Sequence, residues 1–212
     1  MKRLVDNFDL FADALFKESN TLPADEFYFV QILVRGKDGH HVSGNNKNRL
    51  VKYYTVSSKE QLLSLKQEII GISEAVTGRV YIHPTKRSFR EVANITLELT
   101  AHTYVSQQWI GMRSVFSTAA GKSYIVKDKK YVVDLDDIDI NTQEGQEKIQ
   151  KIVDAVNSCR GKGDNKVVMT VPTKSGIHLI TYPFDVESFN KIYPDIDVHK
   201  NNPTLLYFSW EE

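Results

Sequence analysis

The sequence predicts an α+β protein: an N-terminal α/β module over residues 1–121 packed on a C-terminal βαββαβ sheet over 122–212. Three observations predict it. Hydrophobic residues make up 41% of 212 residues, enough for a sizeable core. Short β-branched and aromatic runs alternate with segments of helical period. From Tyr131 onward that alternation settles into the order β-α-β-β-α-β.

Taken in order, Leu4, Phe8, Phe11 and Leu15 recur at helical spacing and predict a helix from Leu4 to Phe16. Phe27 to Val34 is apolar and β-rich. The polar stretch Gly36 to Lys47 reads as a hairpin loop, and Leu50 to Val56 as the next strand. Ser57 and Glu60 have capping-box spacing and start a helix that runs to Ile72. Gly78 to His83 is a short strand and Phe89 to Tyr104 a helix; the pattern is indistinct from there to Ala119. Lys122 to Val126 and Tyr131 to Ile138 are expected to pair as a hairpin. Asn141 or Thr142 caps a helix with Ile149, Ile152, Val153 and Val156 on one stripe. Lys166 to Val171 and Ile177 to Pro183 are strands around a turn at Pro172 to Gly176. Phe184 to Tyr193 is a helix and Thr204 to Trp210 the last strand.

Composition excludes several classes. Lys plus Arg equals Asp plus Glu at 27 each, so no basic excess marks a non-specific DNA binder, and any such contact needs a local patch. The single Cys159 gives neither an intrachain disulfide nor a Cys-based zinc site. Asp6 and Asp9 stand where a signal peptide needs an apolar stretch. No segment nears the ~20 apolar residues of a membrane span. A soluble, cytoplasmic protein is expected.

The order from Tyr131 is the split βαβ, or ferredoxin-like (RRM-like), plan. In it the first and third strands lie side by side in an antiparallel sheet. Asp134 and Asp136 then share a face, ~7 Å apart at about 3.3 Å per residue. His178, near the start of the third strand, falls beside the far end of the first. The loop holding Asp197 leads into the last strand, which is expected to border the first. One rim therefore gathers Asp134, Asp136, His178 and Asp197.

Like charges on one sheet face repel, and magnesium or manganese, taking hard oxygen ligands, would relieve that repulsion. A solvent-facing acid pair at a strand end accounts for the same two residues equally well. Asp195 competes with Asp197, and both also suit an ordinary acidic loop. In Thr173-Lys174-Ser175-Gly176-Ile177-His178, a turn glycine lets backbone amides approach a phosphate and Lys174 adds charge; a plain hairpin turn with a partly exposed His is the simpler account. Arg79, Lys86, Arg87 and Arg90 form an upstream basic cluster able to meet nucleic-acid or triphosphate phosphates, and Lys200 a further candidate. A solvated helix start explains that cluster too.

Together, Val133-Asp-Leu-Asp136, Ser175-Gly-Ile-His178 and Ile196-Asp197 resemble the three motifs of the archaeo-eukaryotic primases and primase-polymerases: a paired-acid strand, a small-residue-x-His turn and a later single Asp. The resemblance covers Lys122 to Trp210. The upstream part is similar only in its α/β character. Tyr207 stands where many relatives place an Arg. The resemblance implies a DNA-directed nucleotidyltransferase of DNA replication, working on nucleoside triphosphates and single-stranded or primed nucleic acid, with a replication helicase or accessory protein as partner. It implies that Asp134, Asp136 and Asp197 hold Mg2+ or Mn2+, and that His178, with Lys174, Ser175 and Gly176, contacts the incoming nucleotide. His83-Pro-Thr85 resembles half of a two-His phosphoesterase pair, but His178 has its threonine, Thr181, one place too late. A non-catalytic RRM-like binding module and a degenerate primase relative are the alternatives. Against the first, Ile177 and Leu179 stand where such a sheet needs stacking rings.

Overall fold

A computed structural model describes residues 2–38, 48–136, 138, 140 and 142–211. The elements are β1 (Lys2–Asp6), α1 (Phe8–Leu15), β2 (Glu26–Arg35), β3 (Asn48–Val56), α2 (Lys59–Ser64), α3 (Lys66–Ala75), β4 (Arg79–Ile82), β5 (Arg87–Ser88), α4 (Phe89–Ser106), α5 (Val115–Lys122), β6 (Tyr131–Asp136), α6 (Gln143–Ser158), β7 (Val167–Pro172), β8 (Gly176–Thr181), α7 (Val186–Ile192), β9 (Val198–His199) and β10 (Thr204–Glu211). The chain is α+β, and both sheets are antiparallel. The first runs β1-β10-β4-β2-β3, with β5 beside β2; the second runs β7-β8-β6-β9.

The burial of β2 explains the first sheet. Tyr28, Val30 and Ile32 point to one face and pack with α1, α2 and α3. Phe27 and Phe29 point to the other and meet Val92 of α4 and Ala119 and Ala120 of α5. The second sheet is also buried on both faces. Val133, Leu135, Ile177 and Leu179 pack on α6 and α7. Val132, Met169, Val171 and Ile180 join the first sheet's core. Alternation along β6 thus puts Asp134 on the Val132 side, facing the first sheet.

Several boundaries differ from the sequence expectation. The expected helix from Leu4 begins only at Phe8, because β1 pairs with β10 over Lys2–Asp6. Asp6 Oδ1 accepts the Phe8 N–H at 3.1 Å and ends the strand. The cap of α2 lies one residue later than expected. Ser58 Oγ accepts the Gln61 N–H at 3.0 Å, and Gln61 Oε1 accepts the Ser57 N–H at 2.8 Å. Leu65 then divides the expected single helix into α2 and α3. Lys122–Val126 forms no strand: Lys122 ends α5, and Val126–Asp128 is a 3-10 turn. Both edges of β6 are already taken, by β8 and β9. Thr142 caps α6, accepting the Gly145 N–H. The alternative cap Asn141, and residues 39–47 of the expected hairpin loop, lie outside the described residues.

The largest correction concerns the last strand. β10 does not border β6; it lies between β1 and β4 in the first sheet. The place beside β6 is filled by the two-residue β9, with Val133 opposite Val198 and Val132 opposite His199. The chain therefore returns across the boundary drawn at residue 121.

Candidate functional site

The two sheets leave between them an open cleft of about 720 Å³. The second sheet lines it with Asp134, Asp136, Lys174, Ser175, His178, Asp197 and His199; the first contributes Arg35, Arg79, Tyr81 and Leu205. Residues from three separated segments of the second sheet thus face one space.

The register explains the meeting. Asp134 lies opposite His178 and Asp136 opposite Gly176 across β6 and β8. On the other edge, the Asp134 N–H donates to the Asp197 carbonyl at 2.9 Å, continuing the β9 pairing by one residue. Asp197 so arrives beside Asp134, through β9 rather than through the last strand.

His178 Nδ1 is 2.8 Å from the buried Thr204 Oγ1, which fixes the ring. Its Nε2 lies 3.1 Å from Asp134 Oδ1. The contact is close but not aligned as a hydrogen bond, and Oδ1 is buried. Burial would push the Asp134 carboxyl up. The adjoining His178 ring, then His199 and Arg35, outweigh burial and hold it below the usual aspartate value. Asp134 is therefore an ionised, half-buried carboxylate with a lone pair to spare.

That orphaned oxygen fits a hard divalent cation, and Asp136 and Asp197 line the same cleft. The three carboxylates are not gathered into a ready-made cage: among the described residues, no group of three His, Cys, Asp or Glu is close enough to hold a metal ion. Asp195, Asp134, Asp136 and Asp197 also border a smaller hollow of about 290 Å³ on the α6 side, with Lys148. Only Asp197 of the two competing acids faces both hollows.

The expected phosphate contacts divide. Lys174 and Ser175 are exposed at the cleft mouth. Gly176 has a structural reason instead. A Cβ there would fall 2.1 Å from the Leu135 carbonyl oxygen, and its N–H is taken by Thr173 Oγ1 at 3.1 Å. Arg79 lines the cleft but is engaged by Asp38, with Nε to Oδ2 at 2.8 Å, and its guanidinium lies over the Phe208 ring at 4.6 Å.

Three other basic candidates are placed away from the cleft. Lys86 pairs with Glu26 at 2.7 Å. Arg90 is exposed on the first turn of α4, and Lys200 is exposed beyond β9. Arg87 is wholly buried and so is not available to a phosphate. It donates to the carbonyls of Ala120 and Thr85 at 2.8 Å, to Asn201 Oδ1 at 3.0 Å and to His83 Nδ1 at 2.6 Å. Burial pushes its pKa down to about 10. Burial, then Arg87, keeps His83 neutral, so the His83-Pro-Thr85 element is a core contact.

Sequence reasoning missed His199 and Arg35. His199 gave no usable signal, because β9 is only the two residues Val198–His199 and too short to show alternation. Arg35 gave no local signal beyond a charge at a strand end. Tyr207, where an Arg was looked for, points away from the cleft and donates to Glu74 Oε1 at 2.7 Å; burial and that carboxylate push its phenol up to about 12. Cys159 is a buried free thiol, pushed up by burial.

The chain matches no protein-family model, no curated protein and no solved structure.

Proposed function

We propose that the chain is a primase-polymerase-like nucleotidyltransferase that joins nucleoside triphosphates on a nucleic-acid template. One observation carries the reading: Asp134, Asp136, His178 and Asp197, far apart in sequence, line one cleft. The strand order β7-β8-β6-β9, with α6 and α7 as connections, supports a ferredoxin-like plan in which β9 takes the place foreseen for the last strand.

In this reading Asp134, Asp136 and Asp197 hold Mg2+ or Mn2+. When bound, such ions supply positive charge to the attacking and leaving oxygens of an in-line phosphoryl displacement. The chain's own residues do the rest. Thr204 holds the His178 ring so that Nε2 faces the cleft, where it meets the triphosphate beside Lys174 and Ser175. Arg35, across the cleft, adds positive charge and is itself held by the Tyr81 hydroxyl at 3.1 Å. The buried base of the site lowers the effective dielectric and strengthens each of these contacts.

The test is calorimetric titration with manganese, followed by extension of primed and unprimed single strands with labelled nucleotides. Manganese uptake lost in Asp134→Ala and Asp136→Ala, together with extension, supports the proposal. Absence of both points to a degenerate relative. RNA binding indifferent to chelation points to a non-catalytic module.

A further inference from the structure

β4 covers β10 only as far as Tyr207; among the described residues, Phe208 to Trp210 run on with β1 as their strand neighbour. A hollow of about 570 Å³ lies beside this end of the first sheet. Phe208 and Trp210, two apart on one face of β10, floor it as a parallel pair with ring centroids 5.5 Å apart and planes 14° apart. The Lys174 ammonium lies 5.8 Å from the Phe208 ring centre and 5.6 Å from that of Trp210. Lys37 and Lys174 line both this hollow and the cleft, so the two spaces adjoin. Of the three acids at its border, Asp38 is engaged by Arg79 and Glu74 by Lys2 at 2.8 Å, while Glu211 is exposed.

An aromatic face beside exposed lysines, continuous with a groove, is the arrangement that takes bases of a single strand without regard to sequence. The ring stacks the base while lysines follow the phosphates. We propose that Trp210, with Lys174 and Lys37, forms a stacking subsite for a base of single-stranded nucleic acid entering or leaving the cleft. This rests on the nucleic-acid reading of that cleft. Trp210 remains partly exposed on its stacked floor, and an incoming base takes the place of the Lys174 ammonium over the indole. Lys174 then turns to the strand's phosphate, linking the turn before His178 to occupancy of the subsite.

The chain has two tryptophans, so Trp109→Phe leaves Trp210 as the sole reporter. Oligothymidylate of about eight nucleotides, titrated at low salt, is expected to quench its emission. Trp210→Leu should weaken binding roughly five- to hundredfold, and Trp210→Tyr should restore most of it. Lys174→Ala should reduce the slope of log affinity against log salt by about 0.7. Manganese affinity and the thermal midpoint should be unchanged in Trp210→Tyr. Oligothymidylate that fails to bind, or binds without quenching and equally well to Trp210→Leu, overturns the subsite. Quenching with no manganese-dependent extension sinks the polymerase reading and leaves the subsite standing; extension with no quenching does the reverse.

Discussion

Gly176→Ala tests the geometry on which the site is built. The added Cβ would sit 2.1 Å from the Leu135 carbonyl oxygen, 3.1 Å from the carbonyl carbon and 3.2 Å from Asp136 Cα. All three are backbone atoms of β6, so no side chain can swing aside. Reaching even the 3.4 Å of ordinary contact requires β8 and β6 to part by more than about 1 Å. The parting falls where Asp136 pairs with Gly176, one pair beyond Leu135 and Ile177 in the core. Overpacking costs about 1–3 kcal/mol when side chains can adjust; here the upper end, about 3 kcal/mol, is expected. In urea that moves the unfolding midpoint by roughly 1 M or more. Gly163→Ala is the control: its φ is +75° with open space around it, so only the left-handed strain of about 1 kcal/mol applies. Manganese affinity should fall in Gly176→Ala and hold in Gly163→Ala. A Gly176→Ala protein as stable as its parent, but weakened for nucleotide, would refute the close-approach argument and return Gly176 to a phosphate-cradling role.

Other outcomes follow from the same contacts. Arg87→Met should destabilise by about 3 kcal/mol or more in urea, because several buried acceptors lose their donor at once; if it instead folded normally and lost nucleic-acid affinity, the core role of Arg87 would be wrong. The folded pKa of Asp134 lies below its unfolded value, so its ionisation stabilises the fold above about pH 4, and that stability drains away as pH falls through the folded value. Asp134→Asn should accordingly flatten the acid limb of a stability–pH curve below about pH 4, measured by urea midpoints at stepped pH. Tyr207→Phe should cost about 1 kcal/mol through the lost Glu74 bond and leave manganese uptake intact, since that hydroxyl points away from the cleft.

The sequence made the acid pair legible because strand alternation is a local property: Val132, Asp134 and Asp136 had to share a face whatever the fold. His178 was legible because the βαββαβ order sets β8 antiparallel beside β6. The start of β8 then falls near the Asp136 end, and the observed register puts His178 opposite Asp134, two residues on from where Gly176 meets Asp136. Asp197 was found for an incorrect reason. The closing strand was assigned beside β6, whereas two residues of β9 make the pairing and β10 crosses to the other sheet. A two-residue strand is too short to carry a period, so nothing in Val198-His199 advertised it. The basic cluster failed for a different reason. Arg87 and Arg90 look alike in sequence, yet one is enclosed and the other exposed. What separates them is the carbonyl of Ala120 and the amide of Asn201, both remote along the chain. The β1–α1 break was hidden because Leu4 happens to keep helical spacing with Phe8, while the strand that β1 pairs with, β10, lies about 200 residues on, near the far end of the sequence.

That final strand has a bearing on how the molecule comes into being. Sitting between β1 and β4, β10 is an inner stave of the earlier sheet, and the ribosome delivers it after all the other described elements. Until then β1 lacks a strand to lie against and β2–β4 form a truncated ribbon, so folding must wait for loop closures spanning most of the polypeptide. Cutting at residue 121 would yield a first piece with a gap in its middle and a second with an orphaned stave. The parts on either side of residue 121 share one sheet, and Leu205 of β10 lines the cleft beside residues of both.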